Sequence, residues 1–129
     1  MANIKYAPPP TIEAFIQDYL PGELFSTYIL GAVGSGKTTG LFFKLVYMAG
    51  LQAKSPIDGM RRSRCVIVRN TMPQLRDTTI TSWNYWFKDP QAGVWKASEN
   101  KFILRFNDVE CEVLFRPLDT ADDVARVLS

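Results

Sequence analysis

Gly31-Ala32-Val33-Gly34-Ser35-Gly36-Lys37-Thr38 is a complete G-x-x-x-x-G-K-[ST] loop, and its reading decides the fold. The glycines allow positive φ and a close approach of the main chain to a polyphosphate, so that successive N–H groups point into one concave anion site. Lys37 then reaches the β and γ phosphates. Thr38 offers a hydroxyl to Mg²⁺, and the helix that starts there turns the positive end of its dipole toward the same charge. The residue types therefore predict a binding set of Gly31, Ala32, Val33, Gly34, Ser35, Gly36, Lys37, Thr38 and the adjacent Thr39, with ATP and Mg²⁺ as ligands.

The flanks have the order such a loop requires. Phe25-Ser26-Thr27-Tyr28-Ile29-Leu30 reads as a strand before it, and Gly40 to Ala49 reads as an apolar helix after it, closed by Gly50. Leu41, Phe42, Phe43, Leu45, Val46 and Met48 cover that helix nearly all round, which predicts burial. Gln52 to Arg64 reads as a loop, and its Arg61-Arg62-Ser63-Arg64 cluster could meet DNA phosphate or solvent. Cys65-Val66-Ile67-Val68 is a continuous apolar run, the pattern of a parallel strand buried on both faces. Met72, Leu75, Thr79, Trp83, Trp86 and Phe87 recur at helical spacing, with Pro73 in the tolerated first turn, and the tryptophans read as core.

Lys101–Phe106 and Val109–Arg116 flank Asn107-Asp108, a pair suited to a two-residue hairpin turn. That register sets Phe106 opposite Val109, Leu104 opposite Cys111 and Phe102 opposite Val113 on an apolar face, with Arg105 opposite Glu110 on the other. Asp108 is then a turn residue and not a metal ligand. The fold class expected is α/β: a P-loop NTPase fold with a parallel sheet core and an added antiparallel hairpin, incomplete at its C-terminal side.

Residues 1–24 read as an N-terminal arm with a short helix, and residues 25–129 as a partial ATPase domain. Thr11 is the expected N-cap of a helix over Ile12 to Leu20, stopped by Pro21-Gly22. Segments just upstream of the first strand can touch a nucleotide base, which makes Gln17 and Tyr19 candidates for adenine contacts. The net charge of +2 decides nothing about nucleic acid, and no histidine is present, which removes imidazole acid–base chemistry and zinc-finger spacings. Cys65 and Cys111 fall in expected strands and read as buried free thiols of a reducing cytoplasm. No run approaches a membrane span.

An ATPase of this type needs a second acidic group after an apolar strand, plus a group that orients the attacking water. Asp119, after Val113-Leu114-Phe115-Arg116-Pro117-Leu118, is a weak match. Thr120-Ala121-Asp122-Asp123 reads as a capping box opening a last helix, and the sequence is expected to end before its second nucleotide motif.

The blocks Tyr28 to Thr38, Val68-Arg69-Asn70-Thr71-Met72-Pro73-Gln74-Leu75, Thr79-Ile80-Thr81-Ser82-Trp83 and Asp119 to Val124 together resemble the large terminase subunits of tailed bacteriophages. The resemblance implies an ATPase that drives double-stranded DNA into a procapsid from a homo-oligomeric ring on the portal protein. It further implies a small terminase subunit as partner, the host cell cytoplasm as location, and a nuclease domain beyond this sequence. It also implies an arginine supplied in trans, for which Arg126 stands near the expected place; Arg69, at a strand end, is the runner-up. The residues alone leave a small-molecule P-loop kinase and a non-catalytic nucleotide-binding module open.

Overall fold

The computed structural model describes residues 4–19, 30 and 36–128, main chain alone for 126–128. Four strands make one sheet: β1 (Arg61–Arg69), β2 (Gly93–Lys96), β3 (Lys101–Phe106) and β4 (Val109–Pro117), in the order β1-β4-β3-β2. The hairpin register is the one the sequence predicts, from Lys101 opposite Leu114 to Phe106 opposite Val109. Leu104, on the inward face, is 2% exposed. Of the two turn residues only Asn107 takes a left-handed φ (48°). Asp108 instead accepts ion pairs from Arg61 (3.3 Å) and Lys54 (3.5 Å).

The sheet is mixed, which corrects the expectation of a parallel core. Among the described strands only β1 and β4 run parallel, and the second edge of β4 is occupied by its antiparallel hairpin partner. Burial on β1 alternates along its length instead of covering both faces. Val66 and Val68 are 36% and 41% exposed on its outer surface, since the helices that pack β1 lie against the other one. The strand also starts earlier than expected, so Arg61 to Arg64 belong to it and not to a loop.

The core lies between the inner sheet face and two helical segments. The first, α2 (Lys37–Gly50), follows α1 (Pro10–Gln17). The second, α3 (residues 72–86), is α-helical at both ends and π-helical over Leu75–Ile80. Thr71 caps its start by accepting from the Gln74 N–H (3.3 Å), and in the wide turn the Thr81 hydroxyl donates to the carbonyl of Arg76 five residues back (3.0 Å). The widened spacing brings Leu75 and Ile80 onto the core together. Trp83 is fully buried, stacked on Phe87 (4.1 Å between centroids) and edge-on to Phe42, Phe102 and Phe115 at 5.1, 5.5 and 5.7 Å. The core reading of this tryptophan holds.

At the N-terminal side, Pro10 occupies the first helical turn of α1 and no side chain caps it, so Thr11 lies inside the helix and is not its cap. Proline's fixed φ starts the helix two residues early. The far end of α1 is held by Lys44 of α2, whose ammonium donates to the carbonyls of Phe15 and Asp18 (2.7 Å for Asp18). Tyr6 of the arm stacks on Phe43 with centroids 4.3 Å apart. A final helix, α4 (Ala121–Leu128), opens with the expected capping box: Thr120 accepts from the Asp123 N–H, and the Asp123 carboxylate accepts from the Thr120 N–H, each at 3.1 Å. Among the described residues no helix is long and apolar enough to cross a membrane.

Candidate functional site

The helix after the glycine loop begins at Lys37. Gly36 is its N-cap in the left-handed region (φ 86°, ψ 13°), and no side chain caps it. A non-glycine residue would be strained there, whereas glycine turns the chain into the helix freely. The Gly36 carbonyl takes the first helical bond, from the Gly40 N–H (2.9 Å). The first-turn N–H groups of α2 have no acceptor one turn earlier within the helix, and this makes the end attractive to an anion. Thr38 is exposed beside Lys37, and Thr39 is half-buried behind it.

Where this end lies in the fold follows from three contacts. Phe42, near the start of α2, shares Trp83 with Phe115, near the carboxyl end of β4. Gly50, at the other end, approaches Phe106 beside the hairpin turn. Arg61, the first residue of β1, donates to the carbonyl of Gln52 just past α2. Helix α2 thus runs antiparallel to β1 and β4, and Lys37 stands at the carboxyl ends of this parallel pair. That is the side on which open α/β sheets bind ligands.

The other sequence-predicted residues distribute unevenly around it. Gly31 to Ser35 lie outside the described residues, as do residues 25–29 of the strand expected before them; Leu30 belongs to no element and is 95% exposed. Arg69 ends β1 on the helix-facing side, where its guanidinium donates to the Thr79 hydroxyl at 3.4 Å. Asp119 is exposed two residues past β4, and Arg126 belongs to α4, which follows from the same sheet end. Gln17 is exposed at the end of α1. Its neighbour Asp18 meets Lys44, and Tyr19 accepts from Gln52 (2.9 Å), so this end of α1 lies about 10 Å or more along α2 from Lys37.

Sequence reasoning missed Lys44 and read Thr79 only as a member of the helical stripe. A lysine inside an apolar helix and a threonine in an apolar stripe were the available signals, and both side chains turn out buried. Burial lowers the Lys44 pKa from the usual lysine value, with the Asp18 charge opposing it.

The arginine cluster of β1 is largely neutralised by carboxylates. Arg61 meets Asp108 (3.3 Å), Arg62 meets Asp58 (2.6 Å), and Arg64 meets Glu112 (2.8 Å). Hydrogen bonds from Lys101 and Arg64 hold the Glu112 carboxyl below the usual range. Of these residues Arg64, Lys101 and Glu112 line a trough of about 980 Å³ on the outer sheet face. Cys65 and Cys111 are both free thiols. They lie together under α2; their mutual interaction and burial push the Cys65 thiol up, while the same interaction brings Cys111 down to about 7 against the opposing effect of burial.

No group of three or more His, Cys, Asp or Glu side chains capable of holding a metal stands among the described residues. An Mg²⁺ at this end would rest on Thr38, phosphate oxygens and water, the sparse protein ligation usual for that ion. The donor set fits: an uncapped helix end, a left-handed glycine, an exposed hydroxyl and a lysine. Comparison of the chain with protein-family models, with curated proteins and with solved structures finds no match.

Proposed function

We propose that this chain is the ATP-binding part of a viral DNA-packaging ATPase of the terminase large-subunit type. The observation that carries the nucleotide reading is the start of α2: a glycine-rich loop sequence ends on a left-handed Gly36, with Lys37 opening an uncapped helix at the carboxyl ends of the parallel pair. In this reading Lys37 neutralises the β and γ phosphates, the helix N–H groups donate to the phosphate oxygens, and the Thr38 hydroxyl joins the Mg²⁺ shell. The bound ion would draw charge from the phosphates; the chain's part is to hold and orient them.

The packaging reading rests on the sequence blocks around Arg69 to Leu75 and Thr79 to Trp83. These residues form the joint from β1 into α3, where Thr71 caps the helix, Pro73 fills its first turn and Leu75 is buried. Double-stranded DNA, the portal protein, the small terminase subunit and a homo-oligomeric ring in the host cytoplasm follow as proposed partners and setting. Calorimetric titration of the chain with Mg²⁺-ATP and Mg²⁺-ADP tests the nucleotide reading: binding is expected, and Lys37→Ala should abolish it. Equal affinity of wild type and variant would overturn it. For the motor, stimulation of hydrolysis by purified portal and DNA in the full-length protein is the expected result, and indifference to both would leave a nucleotide-binding module only.

A further inference from the structure

Among the arginines with described side chains, most have their charge or donors satisfied. Arg61, Arg62, Arg64 and Arg105 each have a carboxylate partner, and Arg116 donates to the carbonyls of Glu99, Asn100 and Phe115. Arg76 is exposed to water. Arg69 differs from all of these. It is half-buried, it has no carboxylate partner among the described residues, and its one side-chain bond is a long one to a neutral hydroxyl, Thr79 Oγ1 at 3.4 Å. A guanidinium taken partly out of water is normally compensated by an anion or several acceptors. Its main chain, by contrast, is fixed: Arg69 pairs with Pro117, and its carbonyl accepts from the Leu118 N–H at 2.9 Å. The backbone anchors a charged fork whose donors are mostly unspent.

The fork lies on the same side of the sheet, and at the same end, as the start of α2. Helix α3 leaves the carboxyl end of β1 and so runs in the same sense as α2, and the two touch where Phe42 meets Trp83. Thr79 is one helical turn before Trp83, and Thr38 is one turn before Phe42. Both therefore sit on the carboxyl-end side of the shared aromatic contact. Packed helices stand about 8–10 Å apart, a gap that an arginine rising from the strand end beneath them can bridge.

We propose that Arg69 is a phosphate-reading residue acting within its own subunit, held in reserve by Thr79 and drawn onto the terminal phosphate of a nucleoside triphosphate. This rests on the nucleotide reading above and names what the site distinguishes, triphosphate from diphosphate. A bidentate guanidinium–phosphate contact is stronger than the single bond to Thr79, so the triphosphate takes the arginine from the hydroxyl. Thr79 lies in the π-helical turn, whose spare geometry is the element free to respond. Half-buried under its own α3, where it meets Thr79, the side chain is poorly placed to serve a neighbouring subunit's nucleotide.

The test uses Mg²⁺ with ADP and with a non-hydrolysable ATP analogue on wild type, Arg69→Ala, Arg69→Lys and Lys37→Ala. Arg69→Ala should weaken the ATP analogue by about 10- to 100-fold, the loss of one charge-assisted contact, and leave ADP within about twofold. Arg69→Lys keeps a charge without the fork and should fall between. Equal loss for both nucleotides would make Arg69 structural, and no loss for either would remove it from the site; both outcomes overturn the proposal. Loss of neither nucleotide in Lys37→Ala would instead overturn the nucleotide reading itself. Should the Arg69 variants fail to fold, hydrogen exchange on the wild type decides: the amides of Leu75–Ile80 should change exchange rate with the ATP analogue and not with ADP, and identical rates refute the exchange of partners.

Discussion

Replacing Lys44 by methionine isolates the link between the N-terminal helix and the phosphate helix. The side chain is 5% exposed, its ammonium donates to the carbonyls of Phe15 and Asp18, and it lies 4.6 Å from the Phe15 ring centroid. Methionine keeps most of the buried stem and removes every donor. The Asp18 carbonyl, left unbonded, would cost about 1–3 kcal/mol, while the Phe15 carbonyl keeps the Asp18 N–H (3.3 Å) and loses less. Part of that returns because no ammonium need then be desolvated, the same burial that lowers the Lys44 pKa. The net expectation is a loss of about 1–3 kcal/mol, concentrated in α1, because lifting α1 away lets water reach the carbonyls without opening the rest of the core. Hydrogen exchange read by mass spectrometry should show the amides of residues 12–18 losing protection about 5- to 150-fold, with β3 and β4 amides unchanged. Faster exchange throughout would mean that Lys44 supports the core and not the helix junction. Higher stability in urea would mean that desolvation outweighs both hydrogen bonds, and the reasoning fails.

Leu104→Asp should destabilise by several kcal/mol, since a carboxylate would enter the inner face with no partner; a urea midpoint close to wild type would contradict the observed burial. Gly93→Ala should detach β2, because φ is 154° and an added Cβ would stand 2.0 Å from the Ile103 carbonyl oxygen. Emission from Trp95, half-buried on that strand, should shift to the red, and an unshifted spectrum would refute the clash. Glu112 has its folded pKa held below the ordinary glutamate value by Lys101 and Arg64. Its contribution is therefore complete above that value and is lost as pH falls through the lower folded one. Glu112→Gln should lower Tm at pH 7 and narrow its gap to wild type near pH 3; a constant gap across that range would remove the carboxylate from the linkage.

What could be read in the sequence was what neighbouring residues decide. The hairpin register followed from a turn pair and two alternating runs, and every pairing holds. The capping box at Thr120 and the glycine entering α2 were equally local. Where the reading failed, a distant partner decided. Cys65 to Val68 has the composition of a strand buried twice over, yet nothing in those residues says that the helices packed on β1 would lie on one face. The basic run from Arg61 to Arg64 gave no sign that Asp58, Asp108 and Glu112 would meet it. The π-turn at Leu75–Ile80 was hidden because one inserted residue leaves an apolar stripe nearly unchanged. At the site, residue type alone placed Lys37 and Thr38, whereas the unspent donors of Arg69 are visible only once its strand and α3 are brought together.

The parallel pairing of β1 with β4 also sets an order of assembly. Arg64 and Glu112, which bridge the two strands, are 48 residues apart, whereas β3 and β4 meet across a two-residue turn. Closing the longer loop costs on the order of 2 kcal/mol more chain entropy than closing the hairpin, before any of its contacts can repay it. The hairpin can therefore nucleate early and wait as a template for β1 to dock against its free edge. Arg69 is brought to the strand end only in that late step, together with the register that holds Leu118 and the start of α4 beside it. A chain emerging from the ribosome would thus show Lys37 long before it had the frame on which a bound phosphate could be read.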